Sequence, residues 1–300
     1  MRDRKMKHAY LIMAHSNWTI LRLLLCLLDY ENHDIFLHID KKSKDKIPQN
    51  LFEVLKKSKL VIIDSMDIYW ADYSIVECEL KLLEAARKTG EYSYFHLLSG
   101  VDLPIKPSKE IYNFFERSGK NFIGIVPNEV YYSVRRVKFY HLFTHMRSYR
   151  NCKLLKGLDR LLEYVQKIIN INRLQNMNWK IIDGWQWFSI TQEFCDYLIK
   201  NREVIESVFK NTISCDELVL QTLIYNSKYY DTLYDTRDLK NGSMRYIDWK
   251  RGKPYTWGQK ENDFDELMNS PYMFARKFDE THMEIVEKIF EEISRRNNNE

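Results

Sequence analysis

The sequence predicts an α/β fold, a mostly parallel central sheet with helices on both faces. Two observations carry this prediction. Short apolar runs alternate with stretches of helical periodicity through the first hundred residues, the pattern of βαβ units. The apolar runs also end in polar residues, as buried strands do where they reach a sheet edge. The first run, residues 8–14, is continuously apolar and stops at His15-Ser16-Asn17, a strand followed by a helix start. Trp18 to Leu28 reads as the helix. Residues 34–40 form a second strand ending in Asp40, and Leu60 to Ile63 a third. Tyr73 to Lys88 places apolar side chains at 76, 80, 83 and 86, one helical face. Tyr92 to Ser99 is a fourth strand, broken by Gly100. Lys180 to Leu198 returns to strand and helix. A further helix starts at Ser214, and Glu284 to Arg296 is a charged amphipathic helix followed by a frayed tail at 297–300.

Three hundred residues suffice for one large domain with a sizeable core. The chain carries 46 basic and 42 acidic side chains, a net charge of +4, which is too balanced for a general nucleic-acid binder. Five cysteines, odd in number and never in Cys-x-x-Cys spacing, argue against a disulfide framework and a zinc site and fit a reducing, cytoplasmic location. The N-terminus is basic without an apolar signal region, and no apolar stretch is long enough to span a bilayer. Neither Gly-x-Gly-x-x-Gly nor a P-loop occurs, so dinucleotide and P-loop readings lose their main support.

Strand ends in a parallel sheet converge on one edge, where ligands sit. That edge should gather His15, Asp40 and Ser99-Gly100-Val101-Asp102. From about 128 to 175 Arg135, Arg136, Lys138, Arg147, Arg150, Lys153, Lys156 and Arg160 are interleaved with aromatics and few acids. This reads as a solvated basic face on one or two helices, and alternatively as a contact for an anionic membrane leaflet or a pyrophosphate-linked lipid. Ser214-Cys215-Asp216-Glu217 sets two acids before an apolar run, about thirty residues after Trp185-Gln186-Trp187. One reading is a capping box between Ser214 and Glu217. The other is a carboxylate that takes a proton from a sugar hydroxyl beside aromatic rings that hold the sugar. Asp263-Phe264-Asp265 is the chain's Asp-x-Asp triplet, but acids there suit the first turn of a helix.

Six segments occur in an order that resembles one family: residues 8–15, 36–42, 97–106, 184–191, 214–217 and 274–278. Together they are similar to the core-2/I-branching β-1,6-N-acetylglucosaminyltransferases and peptide O-xylosyltransferases of glycosyltransferase family 14. The resemblance covers about residues 8 to 280. It implies a GT-A-type fold, a UDP-sugar donor, inversion at the anomeric carbon and no divalent metal or other cofactor. It divides a single domain into a nucleotide-binding half (about 1–125), a basic helical insert (126–178), an acceptor and catalytic half (179–280), and a C-terminal helix and tail (281–300). The missing membrane anchor and luminal disulfides point to a bacterial, cytoplasmic relative.

By this resemblance Glu217 is the general base and Asp216 its supporting acid. His15 and Asp40 are expected at the uridine, and Asp102 near the sugar diphosphate. Lys277 is expected on the pyrophosphate with Arg276 as a partner, and Lys260 as the second cation ahead of Arg251 and Lys253. Trp185, Trp187, Tyr246 and Trp249 are the candidates for the acceptor wall. Trp187 is assigned the core, on the premise that the two tryptophans face opposite sides of a strand. The resemblance implies transfer of a sugar, N-acetylglucosamine first and xylose or another hexose as the alternative. The acceptor is expected to be a glycan, including a lipid-linked oligosaccharide for capsule or exopolysaccharide synthesis, with peripheral membrane contact through 135–160. A carbohydrate-binding protein without catalysis is the reading from another class.

Overall fold

The computed structural model describes residues 6–299. The basic residues before Met6 and the fraying expected at Glu300 lie outside the described residues. In chain order the elements are β1 (Lys7–Ala14), α1 (Trp18–Leu28), β2 (His33–Ile39), β3 (Lys59–Ile62), α2 (Ser74–Thr89), β4 (Tyr92–Ser99), β5 (Leu103–Pro104), α3 (Ser108–Ser118) and β6 (Phe122–Val126). There follow α4 (Tyr131–Lys138), α5 (Lys153–Ile168), β7 (Asp183–Thr191), α6 (Gln192–Lys200), α7 (Arg202–Phe209) and α8 (Val219–Tyr225). The chain ends with α9 (Leu239–Ser243), β8 (Arg245–Ile247), α10 (Asp263–Met268), β9 (Phe274–Arg276) and α11 (Met283–Asn299). The C-terminal helix thus runs past the point where a frayed tail was expected, and Asn297 accepts a hydrogen bond from the Ser108 N–H at 3.0 Å.

A six-stranded sheet in the order β3-β2-β1-β4-β7-β6 forms the centre. β1, β2, β3 and β4 pair in parallel, while β7 runs antiparallel to both β4 and β6. The mostly parallel sheet is therefore correct, with one reversed strand. A smaller sheet, β5-β9-β8, pairs Leu103 with Ala275 and Arg245 with Phe274, tying residues after β4 to the C-terminal part of the chain.

The continuous apolar runs of β1, β2 and β4 have a direct cause: both sheet faces are covered, so odd and even positions alike need apolar side chains. Ala9, Leu11, Phe36, Phe95 and Leu97 pack under α2, α6, α7 and α8. Tyr10, Ile12, Ile35, Leu37 and Leu98 pack on the other face with α1, α3 and α11. Because β1 lies between β2 and β4, the chain leaves β1 first to one side and later to the other, which puts the topological switch point at the carboxyl ends of β1 and β4.

One patch of this core is polar. His8, His33 and His96, from β1, β2 and β4, are fully buried, with His96 Nε2 3.0 Å from His8 Nδ1 and His96 Nδ1 2.7 Å from Ser189 Oγ. Burial lowers the pKa of all three imidazoles, so the folded state holds them neutral. The sign follows. Above the ordinary histidine pKa of about 6.5 nothing is lost, and below it the unfolded chain takes up protons that the folded chain refuses. The melting temperature should therefore fall on acidification from pH 7 to pH 5. A scan that is flat across that window would show that these rings gain protons without cost.

Candidate active site

The carboxyl edge of the sheet gathers the strand-end residues. Asp40, just past β2, is tied to β1 by its N–H on the Ala14 carbonyl at 2.9 Å, which brings it beside the exposed His15. Its carboxylate accepts from the Lys42 N–H at 2.9 Å and pairs with the Lys42 ammonium at 3.1 Å. Although His15 keeps exposed surface, its pKa is lowered, chiefly by the desolvation of its ring among its neighbours, with Asp40 opposing and the charges of Lys42 and Arg150 adding to the drop. Arg150, more than a hundred residues away in sequence, lies over the Trp70 ring at 5.7 Å, and its charge is felt at His15. Asp102 is buried. It accepts from the Ser99 N–H and Oγ, both at 2.8 Å, and lies 3.5 Å from Arg276 Nη1.

Arg276 ends β9, and its guanidinium stacks 3.8 Å from the centre of the Trp187 ring. Two links hold the segment after it against the same edge: the Phe278 N–H on the Val101 carbonyl at 2.9 Å, and the Glu280 N–H on Asn17 Oδ1 at 3.2 Å. Lys277 lies between Arg276 and the first of these anchors. Among the described residues no ion pair or side-chain hydrogen bond engages its ammonium. The edge therefore presents His15, Asp40 and Lys42 on one side and Asp102, Arg276 and Lys277 on the other.

The acid pair sits on a different support. Ser214 adopts a left-handed backbone (φ 49°), and Cys215–Glu217 form a single 3-10 turn ahead of α8. The Ser214 side chain makes no capping bond, so the capping box does not form. The acids therefore precede α8 on this turn and do not occupy its first turn.

The carboxylate of Glu217 is held by Arg136 of α4, whose Nη2 donates to Oε2 at 3.0 Å. Arg136 is only 4% exposed and also donates to the carbonyls of Ile213 (2.9 Å) and Ser214 and to Asp183 Oδ2 (3.3 Å). The two acids then separate by environment. Asp216 is half-buried, with its Oδ1 shut off from solvent. Burial and the neighbouring Glu217 charge push it up to about 7, and its Oδ1 has no hydrogen-bond partner among the described residues. Glu217 is also raised, by burial first, but Arg136 pulls against that rise and the side chain remains 43% exposed. Burial thus raises both carboxyls, and of the two Glu217 alone takes a hydrogen bond from Arg136, which sets their environments apart. Two carboxyls pushed apart in this way take different chemical roles.

Glu217 opens into a cavity of about 660 Å³ whose walls include Asp183, Gly184, Trp185, Lys240, Asp248 and Trp249. Gly184 is required here. A Cβ at that position would stand 1.9 Å from the Gly124 carbonyl oxygen and 2.8 Å from Gln221 Cγ, so a side chain would push β7 off β6 where the wall is built. Trp249 is half exposed and Trp185 partly so, and both present ring surface to the cavity.

The sequence expectations divide accordingly. Glu217, Trp185 and Trp249 line one cavity, with Asp216 half-buried beside Glu217. His15, Asp40, Asp102, Arg276 and Lys277 share the carboxyl edge. Trp187 is buried as expected, but the premise was wrong. Residues two apart on a strand share a face, and both tryptophans pack in the same core cluster, differing in depth along β7. Tyr246 is not in the cavity wall. Its hydroxyl bonds Glu266, its ring packs edge-on against Trp257 at 4.9 Å, and the Lys240 ammonium covers it at 4.3 Å.

Lys260 is exposed on the turn before α10, and among the described residues no contact joins it to the carboxyl edge. Arg251 is taken up by Asp248, Asp263 and Glu266. Lys42 and Arg150 are instead the cations found near His15. Asp263 is fully buried and already accepts from Tyr255 Oη, the Gly258 N–H and Arg251, which makes it a structural acid and no metal ligand. Among the described residues no group of three or more His, Cys, Asp or Glu is disposed to hold a metal. The chief omission of the sequence reading was Arg136, taken for one charge on a solvated face. Only a partner-seeking acid pair far along the chain could have hinted at its burial.

The family model described as Core-2/I-Branching enzyme matches residues 8–268. Relatives of similar sequence include a xylosyltransferase of Ciona intestinalis, 22% identical over 95% of this chain and 34% of its own length. Xylosyltransferase 2 of Homo sapiens is 24% identical over 93% of this chain and 33% of its own. The chain thus spans about a third of the length of the curated relatives it matches. A solved structure, mouse xyloside xylosyltransferase 1 in its apo form, aligns over 90% of this chain and 97% of its own with 11% identity and a TM-score of 0.40. No helix among the described residues is long and apolar enough to cross a membrane. With the match running through nearly all of the central sheet and the acid turn, the chain belongs to the Core-2/I-Branching enzyme family.

Proposed function

We propose that this chain is an inverting glycosyltransferase that moves a sugar from a UDP-sugar to a hydroxyl of a glycan acceptor. The observation that carries the reading is Glu217, held by a buried arginine on the wall of an aromatic cavity. The acceptor sugar lies against Trp185 and Trp249. Its hydroxyl gives a proton to Glu217 as its oxygen forms a bond to the anomeric carbon, and the bond from that carbon to the diphosphate breaks on the opposite face. The departing UDP carries away the electron pair as new negative charge. Lys277 meets that charge directly, with Lys42 and Arg150 adding to the positive field and Arg276 positioning the segment. An ammonium can serve here because it is a compact charge with rotatable donors. Asp40 and His15 face the uridine. The proposal includes turnover without a divalent ion.

N-acetylglucosamine is the first donor sugar in this reading. Xylose is the second, favoured by the names of the relatives. The acceptor is a glycan, with a lipid-linked oligosaccharide of capsule or exopolysaccharide synthesis as the specific form. A thermal-shift screen of UDP-sugars in excess EDTA tests the reading, because a ligand of the folded state raises its melting temperature by mass action. The preferred UDP-sugar should shift wild type, and Lys277→Ala should weaken that binding on the order of ten- to hundredfold, the worth of a charged hydrogen bond. No shift with any UDP-sugar, or a shift that appears only when manganese is added, would overturn it.

A further inference from the structure

The helix α5 is mounted with its polar side inward. Its buried positions are Asp159 and Gln166, and its apolar side chains Leu154, Leu158, Leu161, Val165 and Ile168 point outward. These five recur at helical spacing along one stripe and range from 40% exposed at Leu158 to 70% at Leu154, with Tyr164 beside them at 61%. Most of the inward polar groups are partnered, Asp159 Oδ1 and His141 Nε2 being the buried atoms without one among the described residues. Asp159 Oδ2 is 2.6 Å from His141 Nδ1 and accepts from Tyr149 Oη at 3.2 Å, while Gln166 bridges the N–H and carbonyl of Tyr140. The outward stripe therefore does not result from a rotated helix whose apolar face was meant for the core.

Charge identifies what covers it. Residues 146–169 hold six cations, Arg147, Arg150, Lys153, Lys156, Arg160 and Lys167, against two acids. Both acids are turned inward, Asp159 to His141 and Glu163 to Arg135. Arg147, Lys153, Arg160 and Lys167 are exposed, and none has an acidic partner among the described residues. Two copies of this chain meeting stripe to stripe would bring like charges together in a drying interface. An anionic lipid surface would instead take the apolar side chains into its headgroup region and attract the flanking cations, as interfacial helices do.

We propose that α5 is a membrane-surface helix that seats the enzyme on an anionic leaflet. The contact is made by the apolar stripe, with the cations at its border, and differs from the purely basic surface expected from the sequence. It rests on the geometry of α5 and stands whether or not the catalytic reading holds. α5 is linked to the acid site through Arg135 and Arg136 of α4, so seating it would fix the height of the Glu217 cavity above the leaflet.

The test is cosedimentation of the full chain with vesicles of equimolar phosphatidylglycerol and phosphatidylcholine, and with phosphatidylcholine alone. The protein should pellet with the mixed vesicles, and binding should weaken as salt rises. Leu154→Ser/Leu161→Ser/Ile168→Ser should lower the binding constant on the order of a hundredfold or more while leaving the melting temperature unchanged, since these side chains touch water in the free protein. Lys153→Gln/Arg160→Gln/Lys167→Gln should cost about fivefold for each charge removed. Protein that stays in the supernatant with mixed vesicles would overturn the proposal, as would equal binding by the serine variant. So would a dimer in light scattering that the serine variant dissolves, which would give the stripe to a second copy.

Discussion

Replacing Glu217 by Gln is expected to lower turnover by about 10²–10⁴, the usual contribution of a positioned general base, with UDP affinity unchanged. The amide keeps the size of the side chain and can still accept from Arg136, so the cavity persists and only proton removal is lost. The companion variant sharpens the claim. Asp216 is half-buried and pushed up to about 7, so near neutrality it already spends much of its time uncharged. Asp216→Asn mimics that state and should retain most activity. Measuring kcat for both variants, with UDP binding by calorimetry, separates the roles. If Asp216→Asn were dead and Glu217→Gln active, the assignment of base and supporting acid would have to be exchanged. Near-normal activity in both would remove the pair from the chemistry.

Much of the fold was legible in the sequence because strands buried on both faces leave a plain trace: residues 8–14, 34–40, 60–63 and 92–99 all match strands to within a residue at either end. The short strands β5, β8 and β9 were not seen. Two or three residues cannot show a period, and β5 meets β9 only across more than a hundred residues. The reversed direction of β7 was hidden for the same reason, since orientation depends on which neighbour a strand finds. Of the site, the residues that end strands or flank an apolar run could be named. What could not be read was which charges meet. Arg251 and Arg136 look alike in a basic stretch, yet one is tied to Asp248, Asp263 and Glu266 while the other crosses from α4 to the acid turn. The outward stripe of α5 was not read from the sequence, where the cations drew the reading to a basic face, and only packing shows that its polar side faces in.

Arg136→Met should be the most damaging single change at the site, in stability and in pH dependence together. The guanidinium is buried and serves four acceptors at once, the carbonyls of Ile213 and Ser214 and the carboxylates of Asp183 and Glu217. Methionine fills much of the volume but satisfies none of them. Breaking a buried charge pair by removing one partner costs about 3–5 kcal/mol, and the lower end applies here because Glu217 is 43% exposed and water can partly replace the lost donor. The pH effect has a definite sign. Burial raises the Glu217 pKa and Arg136 opposes that rise, so removing the arginine lets the pKa climb further. The base must be ionised to act, so the acidic limb of kcat/KM should move to higher pH, and activity lost at pH 7 should partly return at pH 9. A purely structural role for Arg136 would lower activity equally at every pH where the variant is folded. Arg136→Lys provides the control: one ammonium can hold Glu217 or the Ser214 carbonyl but not the whole set, so it should restore the position of the limb better than it restores the melting temperature.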